Sequence, residues 1–217
     1  MRIILIPGLG YDDRIFHNLD LSDFEIEYLN WIEPLKNEHI HDYSQRLFAT
    51  VKSAAQKTIL IGHSLGGVVS QEIASANQIE KIVLVSSIAS RKELPFTFKI
   101  VKPLRLDRFF TKWFCIKSVP FWGKRHGFTP ETIKLFKSMI GKQTNSYLQW
   151  AFRALSTWKT PKVPETTKIV RIHGTNDKTL PYKLISKPDL IIKNGSHICV
   201  IDEASTISDF IKTHIKN

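Results

Sequence analysis

The sequence predicts an α/β protein built on a parallel sheet of about six strands, covered by helices on both faces and interrupted by a helical insertion. Three observations carry this. Short apolar runs of strand length alternate along most of the chain with stretches whose apolar residues recur at helical spacing. Strands separated by helices pair in parallel through crossovers, and such a sheet is sandwiched between two helical layers. The 217 residues, 42% hydrophobic and 24% charged, suit a single domain with a full core.

Arg2–Ile6 is a short apolar run stopped by Pro7-Gly8, the pattern of a buried strand entering a tight loop. Phe24–Leu29 alternates apolar and polar residues, as a half-exposed strand does. Tyr43, Leu47, Phe48 and Val51 share one helical face, giving a helix from about Ile40 to Gln56. Thr58–Ile61 is a buried strand, Val68–Ala76 reads as a helix, and Lys81–Val85 is another strand. The alternation then breaks. From about residue 90 to 160 the apolar positions (Ile133, Phe136, Ile140; Leu148, Ala151, Phe152, Leu155) fall at helical spacing, the sign of a helical insertion. Strands resume at Lys168–Ile172 and Leu190–Ile192. A helix over Ser205–Ile215 closes the chain, with Ile207, Phe210 and Ile211 on one face. Residues 1–89 and 161–217 therefore read as one core, and 90–160 as a cap inserted into it.

The formal net charge of +11 on its own suggests a nucleic-acid partner. Its distribution argues against one. Between Arg91 and Thr160 there are 15 basic and 3 acidic residues, whereas the rest of the chain carries 16 and 17. The same segment holds 14 of the 23 aromatic residues, including Trp113, Trp122, Trp150 and Trp158. The excess charge belongs to the insertion, and the remainder is a near-neutral scaffold. A basic, aromatic segment suits a lid over an apolar pocket, a patch that meets a membrane surface, or a single-strand binder. It equally suits a helical layer that lysine and arginine merely keep soluble. No nucleic-acid motif accompanies it.

No apolar run approaches the roughly 18 residues of a spanning helix, and the opening apolar stretch is too short for a signal peptide, so a cytoplasmic protein is expected. Cys115 and Cys199 sit in no pairing or zinc motif, and His39 and His41 make only half a zinc site. Neither metal nor cofactor is expected.

The chemistry is concentrated in Ile59-Leu60-Ile61-Gly62-His63-Ser64-Leu65-Gly66-Gly67-Val68-Val69. Gly62-x-Ser64-x-Gly66 follows a predicted strand and precedes a predicted helix, the context of a nucleophile elbow. The serine must occupy a strained turn that lifts its hydroxyl off the sheet. Side chains two residues to either side would collide, so Gly62 and Gly66 are required there. The following helix aims its first amides at a developing oxyanion. Ser64 is the candidate nucleophile.

At this point the chain resembles the α/β-hydrolase family, over most of its length. That resemblance implies a three-layer fold and a triad in the order serine, acid, histidine, each at the carboxyl end of a strand. His173-Gly174-Thr175-Asn176-Asp177-Lys178-Thr179-Leu180-Pro181 is similar to the family's loop bearing the acid, which makes Asp177 the candidate, with Asp202 and Glu203 as weaker alternatives. Asn194-Gly195-Ser196-His197 is similar to its histidine loop, which makes His197 the candidate base. The resemblance gives His173 a loop-packing role and His63 no catalytic one. His39, His41, His126 and His214 read as exposed, and Cys199 as buried filler. Of the two oxyanion donors, Leu65 follows the nucleophile. The other is the amide of Leu9 in Pro7-Gly8-Leu9-Gly10, where relatives carry His-Gly-x-Gly. The family's two leading strands, one antiparallel, have no counterpart before Arg2, so the sheet is expected to be wholly parallel.

The function these residues imply is hydrolysis of a carboxylic ester or thioester through an acyl-Ser64 intermediate. Acyl transfer, perhydrolysis, C–C bond hydrolysis and a non-catalytic ligand-binding role remain alternatives on the same fold. The expected partner is a small ester or thioester. Outward-facing Arg105, Arg108, Lys112, Lys124 and Arg125 favour an anionic head group at the mouth of the pocket.

Overall fold

A computed structural model describes residues 1–51 and 57–216. Six strands, β1 (Arg2–Ile6), β2 (Glu25–Tyr28), β3 (Thr58–His63), β4 (Lys81–Val85), β5 (Lys168–Gly174) and β6 (Leu190–Ile192), form one sheet in the order β2-β1-β3-β4-β5-β6. Every pairing is parallel. All five residues of β1 and of β4 are buried. Successive strand residues point to opposite faces, so both faces of the sheet's centre are covered. The edge strand β2 is the alternating one that the sequence marked, and its Glu27 pairs with Arg2 of β1 at 3.0 Å.

The helices of the core are α1 (Ile40–Phe48) and α2 (Leu65–Ala74), and, after the last strand, α7 (Cys199–Asp202) and α8 (Ala204–Lys216). Helix α1 ends nearer its start than expected, and residues 52–56 of the predicted helix lie outside the described residues. Helix α8 buries Ile207 and Ile211 of the expected face together with Ile215, while Phe210 is half-buried. Between β4 and β5 the chain forms α3 (Phe96–Lys99), α4 (Lys112–Arg125), α5 (Pro130–Lys142) and α6 (Asn145–Thr157). Thr111, Thr129 and Thr144 cap the last three, each accepting the amide three residues on. Pro130 fits the first turn of α5, where its missing N–H costs nothing. Buried Glu93 anchors the segment's start, accepting from Arg171 of β5 at 2.7 Å, from Ser186 at 2.6 Å and from the Ala89 amide at 2.8 Å. Among the described residues no helix is long and apolar enough to cross a membrane.

Candidate active site

In a parallel sheet the carboxyl ends of all strands lie along one edge, and loops leaving that edge converge. Four of them meet here, after β1, β3, β5 and β6.

Ser64 follows β3 directly and stands immediately before α2. Its backbone sits at φ 51° and ψ −117°, a conformation that costs a non-glycine residue about 1–3 kcal/mol. The surroundings hold it there. Its amide donates to Val85 O at 3.0 Å, and its carbonyl accepts from Gly67 N at 3.0 Å and from Ser87 Oγ at 2.6 Å. A Cβ on Gly62 would fall on the backbone of Gly66 and Gly67, and one on Gly66 on the carbonyl of Ile6. The two elbow glycines are thus fixed by sterics.

His197 Nε2 lies 3.0 Å from Ser64 Oγ, and His197 Nδ1 lies 2.7 Å from Asp177 Oδ2. A carboxylate can only accept, so Nδ1 carries the proton and Nε2 is left to accept from the serine hydroxyl. Asp177 and His197 are both buried. The other oxygen of Asp177 accepts the amides of Thr179 and Leu180, both at 2.8 Å. Burial pushes this carboxyl's pKa up, but the charge of His197 and these hydrogen bonds outweigh it and hold it below its ordinary value. The loops carrying Asp177 and His197 touch backbone to backbone: a Cβ on Gly174 would overlap Gly195, and Asn176 N donates to Gly195 O at 2.9 Å. Asp202 binds Ser196 Oγ at 3.2 Å rather than His197.

His173 is buried, with Nε2 2.8 Å from Leu180 O and 3.3 Å from Asp177 Oδ2. It braces the acid's loop. His63 was expected to have no catalytic role, and its Nε2–H donates to the main-chain carbonyl of His197 at 2.9 Å. His126 is a correction. It is not a free surface residue but a half-buried wall of the cavity, with Nδ1 2.9 Å from Thr179 Oγ1. Cys199 is fully buried, and burial pushes its thiol up to about 12, so it stays protonated.

The loop after β1 turns at Gly10, whose φ is 79°. Gly8 O accepts from Tyr11 N at 3.0 Å and from Trp31 Nε1 at 3.1 Å. In a planar trans peptide the next N–H points the opposite way, so pinning that carbonyl fixes the direction of the Leu9 amide. The loop passes close to the nucleophile candidate, since a Cβ on Gly8 would sit 3.1 Å from Ser64 Cβ. Leu65 is the first residue of α2, where an amide has no partner within the helix.

Above Ser64 and His197 lies a cavity of about 290 Å³. Its walls are largely apolar, with Phe98, Phe110, Trp122, Phe136, Leu148 and Phe152 contributed by the segment between β4 and β5. Among the described residues no lysine, arginine, aspartate or glutamate lines it. Arg105, Arg108 and Lys124 are exposed as expected and Lys112 is half-buried; the side chain of Arg125 lies outside the described residues. Among the described residues no group of three His, Cys, Asp or Glu side chains is placed to hold a metal ion.

No curated protein matches the chain in sequence. Its fold is shared with an esterase from Exiguobacterium antarcticum (TM-score 0.78, 14% identity, covering 100% of this chain and 92% of that one). It is shared likewise with a bromoperoxidase from Bacillus anthracis (0.73, 16%, 100% and 92%). An enol-lactonase from Burkholderia xenovorans LB400 is a third example (0.69, 15%, 100% and 91%). At these identities the likeness concerns fold. The model of the alpha/beta hydrolase family matches residues 3–207, and with this sheet and this elbow the chain belongs to the α/β-hydrolase family.

Proposed function

We propose that the protein is a serine hydrolase acting on a carboxylic ester or thioester with an apolar acyl group. The observation that carries this reading is the run of hydrogen bonds from Asp177 through His197 to Ser64 at the floor of an apolar cavity. In this mechanism Ser64 Oγ attacks the carbonyl carbon while its proton passes to His197 Nε2. The resulting oxyanion accepts from the Leu65 and Leu9 amides, in a site where low polarity strengthens both bonds. Collapse breaks the bond to the alcohol or thiol, which leaves with the proton from His197. Water then attacks the acyl-serine, again giving its proton to His197, which returns it to Ser64 Oγ as the bond to the acyl group breaks and the acid departs. Asp177 holds the imidazole in the needed tautomer and stabilises its cation.

A fluorophosphonate should label the folded protein once, on the peptide spanning Gly62–Gly67. A panel of 4-nitrophenyl and thioesters should be turned over by the wild type and not by Ser64→Ala. Asp177→Asn should lose roughly 10⁴-fold in kcat, because an amide facing Nδ1 enforces the wrong tautomer. A label on another residue, or an unlabelled folded protein, would refute the proposal.

A further inference from the structure

The segment between β4 and β5 presents an aromatic surface on the side away from the cavity. Helix α4 carries Trp113 (70% exposed), Phe114 (42%) and Phe121 (85%), and the turn before it carries Leu104 (60%) and Phe109 (66%). At about 100° per residue, positions 113, 114, 117, 121 and 124 fall within an arc of about 100°. All five are exposed, and the two that are not aromatic are Lys117 and Lys124. The opposite side of the same helix holds Cys115, Ser118 and Trp122, which line the cavity. A helix apolar on both sides needs something to cover the second one.

The exposed charge along this stretch of chain has one sign. Between residues 102 and 124 the exposed charged side chains are Lys102, Arg105, Arg108, Lys117 and Lys124, while the single acid, Asp107, is buried and paired with Arg153 at 3.1 Å. A second copy docked on this face would set cation against cation. Rings that can enter the boundary between headgroups and acyl chains, flanked by cations, complement an anionic bilayer instead.

We propose that the outer face of α4, with the turn from Leu104 to Phe109, docks on an anionic lipid surface. The seat backs onto a wall of the cavity: the ring of Phe114 is 6.0 Å from that of Phe110, which lines it.

The test is co-sedimentation with phosphatidylcholine vesicles, with and without about 30% phosphatidylserine, at low and high salt. The protein should bind the serine-containing vesicles at least about tenfold more tightly than phosphatidylcholine alone, and release at high salt. Trp113 fluorescence should shift to the blue on binding, and Trp113→Phe should lose the shift but keep most of the binding. The pairs Trp113→Ser/Phe121→Ser and Lys117→Glu/Lys124→Glu should each weaken binding by about tenfold or more with melting unchanged, since all four side chains are exposed. No binding at low salt, equal binding to both vesicles, or unaltered binding by both pairs would overturn the proposal. So would a concentration-dependent dimer abolished by Trp113→Ser/Phe121→Ser, which would assign the face to a second copy. Ser64→Ala should bind as the wild type does, so failure here leaves the hydrolase reading standing, and the reverse holds.

Discussion

His63 and His197 are joined by a hydrogen bond in which only one ring takes part: the Nε2–H of His63 donates to the main-chain carbonyl of His197 at 2.9 Å. His63 is the last residue of β3 and the neighbour of Ser64. The strand that delivers the candidate nucleophile therefore grips the loop that delivers the candidate base. The ring is wholly buried, and burial together with the charge of His197 lowers its pKa to about 3. It stays neutral and keeps a single N–H for this bond.

His63 should accordingly act as a positioning residue. His63→Ala leaves the His197 carbonyl without its donor and frees the loop. kcat should fall about tenfold, the equivalent of about 1.4 kcal/mol, with KM little changed. His63→Gln, which places an amide N–H at similar reach, should recover much of the loss. An alanine variant with undiminished kcat would refute the role.

The same burial makes stability depend on pH. Free histidine titrates near 6.5, whereas His63 in the folded protein is lowered to about 3 and His173 is lowered as well, chiefly by burial. Below about pH 6.5 the unfolded chain takes up protons that the folded chain refuses, so folding weakens as pH falls toward the folded values. Each ring contributes at most about 1.4 kcal/mol per pH unit in that window. Urea midpoints measured from neutral pH downward should fall less steeply in His63→Gln than in the wild type. Parallel slopes would show that His63 does not carry this linkage.

The six strands were legible in the sequence, five as the short apolar runs that buried parallel strands make and Phe24–Leu29 as an alternating one, whereas their order across the sheet was not. Their ends were harder to read. β3 runs on to His63 and β5 to Gly174, past the point where a polar residue breaks the run. Helix α2 begins at Leu65, before the predicted Val68. Gly66 and Gly67 are poor helix formers, and their presence reflects the carbonyl of Ile6 and the side chain of Ser87, which leave no room for a Cβ. Helix α4 carried no readable stripe. It has Pro120 in its interior and apolar residues toward both cavity and solvent, so no single face stands out. Ser64, Asp177 and His197 could be named from local motifs. His63 and His126 could not, because their partners are 134 and 53 residues away in sequence, and only the fold sets those distances. The Asp177 amide bonds had a signal: an aspartate bonding the amides two and three residues on is a local turn that the sequence permits.

Two glycines separate close packing from open space. Gly66→Ala would press a methyl group onto the carbonyls of Ile6 and Pro7, both backbone atoms of the sheet and its loop. Soluble yield and melting temperature should drop sharply, and any folded protein should be inactive because the elbow must shift. Gly141 lies in α5, where an added Cβ would meet nothing within 4 Å. Gly141→Ala should raise stability by about 0.4–1 kcal/mol by restricting the unfolded chain and favouring helix. Equal effects from the two would mean that neither position is governed by its surroundings.

The cavity sets the last expectation, which concerns acyl length. Among the described residues its walls bear no carboxylate, ammonium or guanidinium group, and its volume is about 290 Å³. Each methylene moved from water into such a space gains about 0.8 kcal/mol, or roughly fourfold in kcat/KM if the gain is kept in the transition state. Across a series of 4-nitrophenyl esters, kcat/KM should climb by about that factor per methylene and stop climbing once the cavity is full. Leu148 is buried in α6 and lines the wall. Leu148→Phe adds a ring to the space, so the plateau should arrive at a shorter chain while acetate ester turnover stays within about twofold. A flat chain-length profile in the wild type would place the acyl group elsewhere. An unmoved plateau in Leu148→Phe would show that the chain extends along a different wall, away from α6.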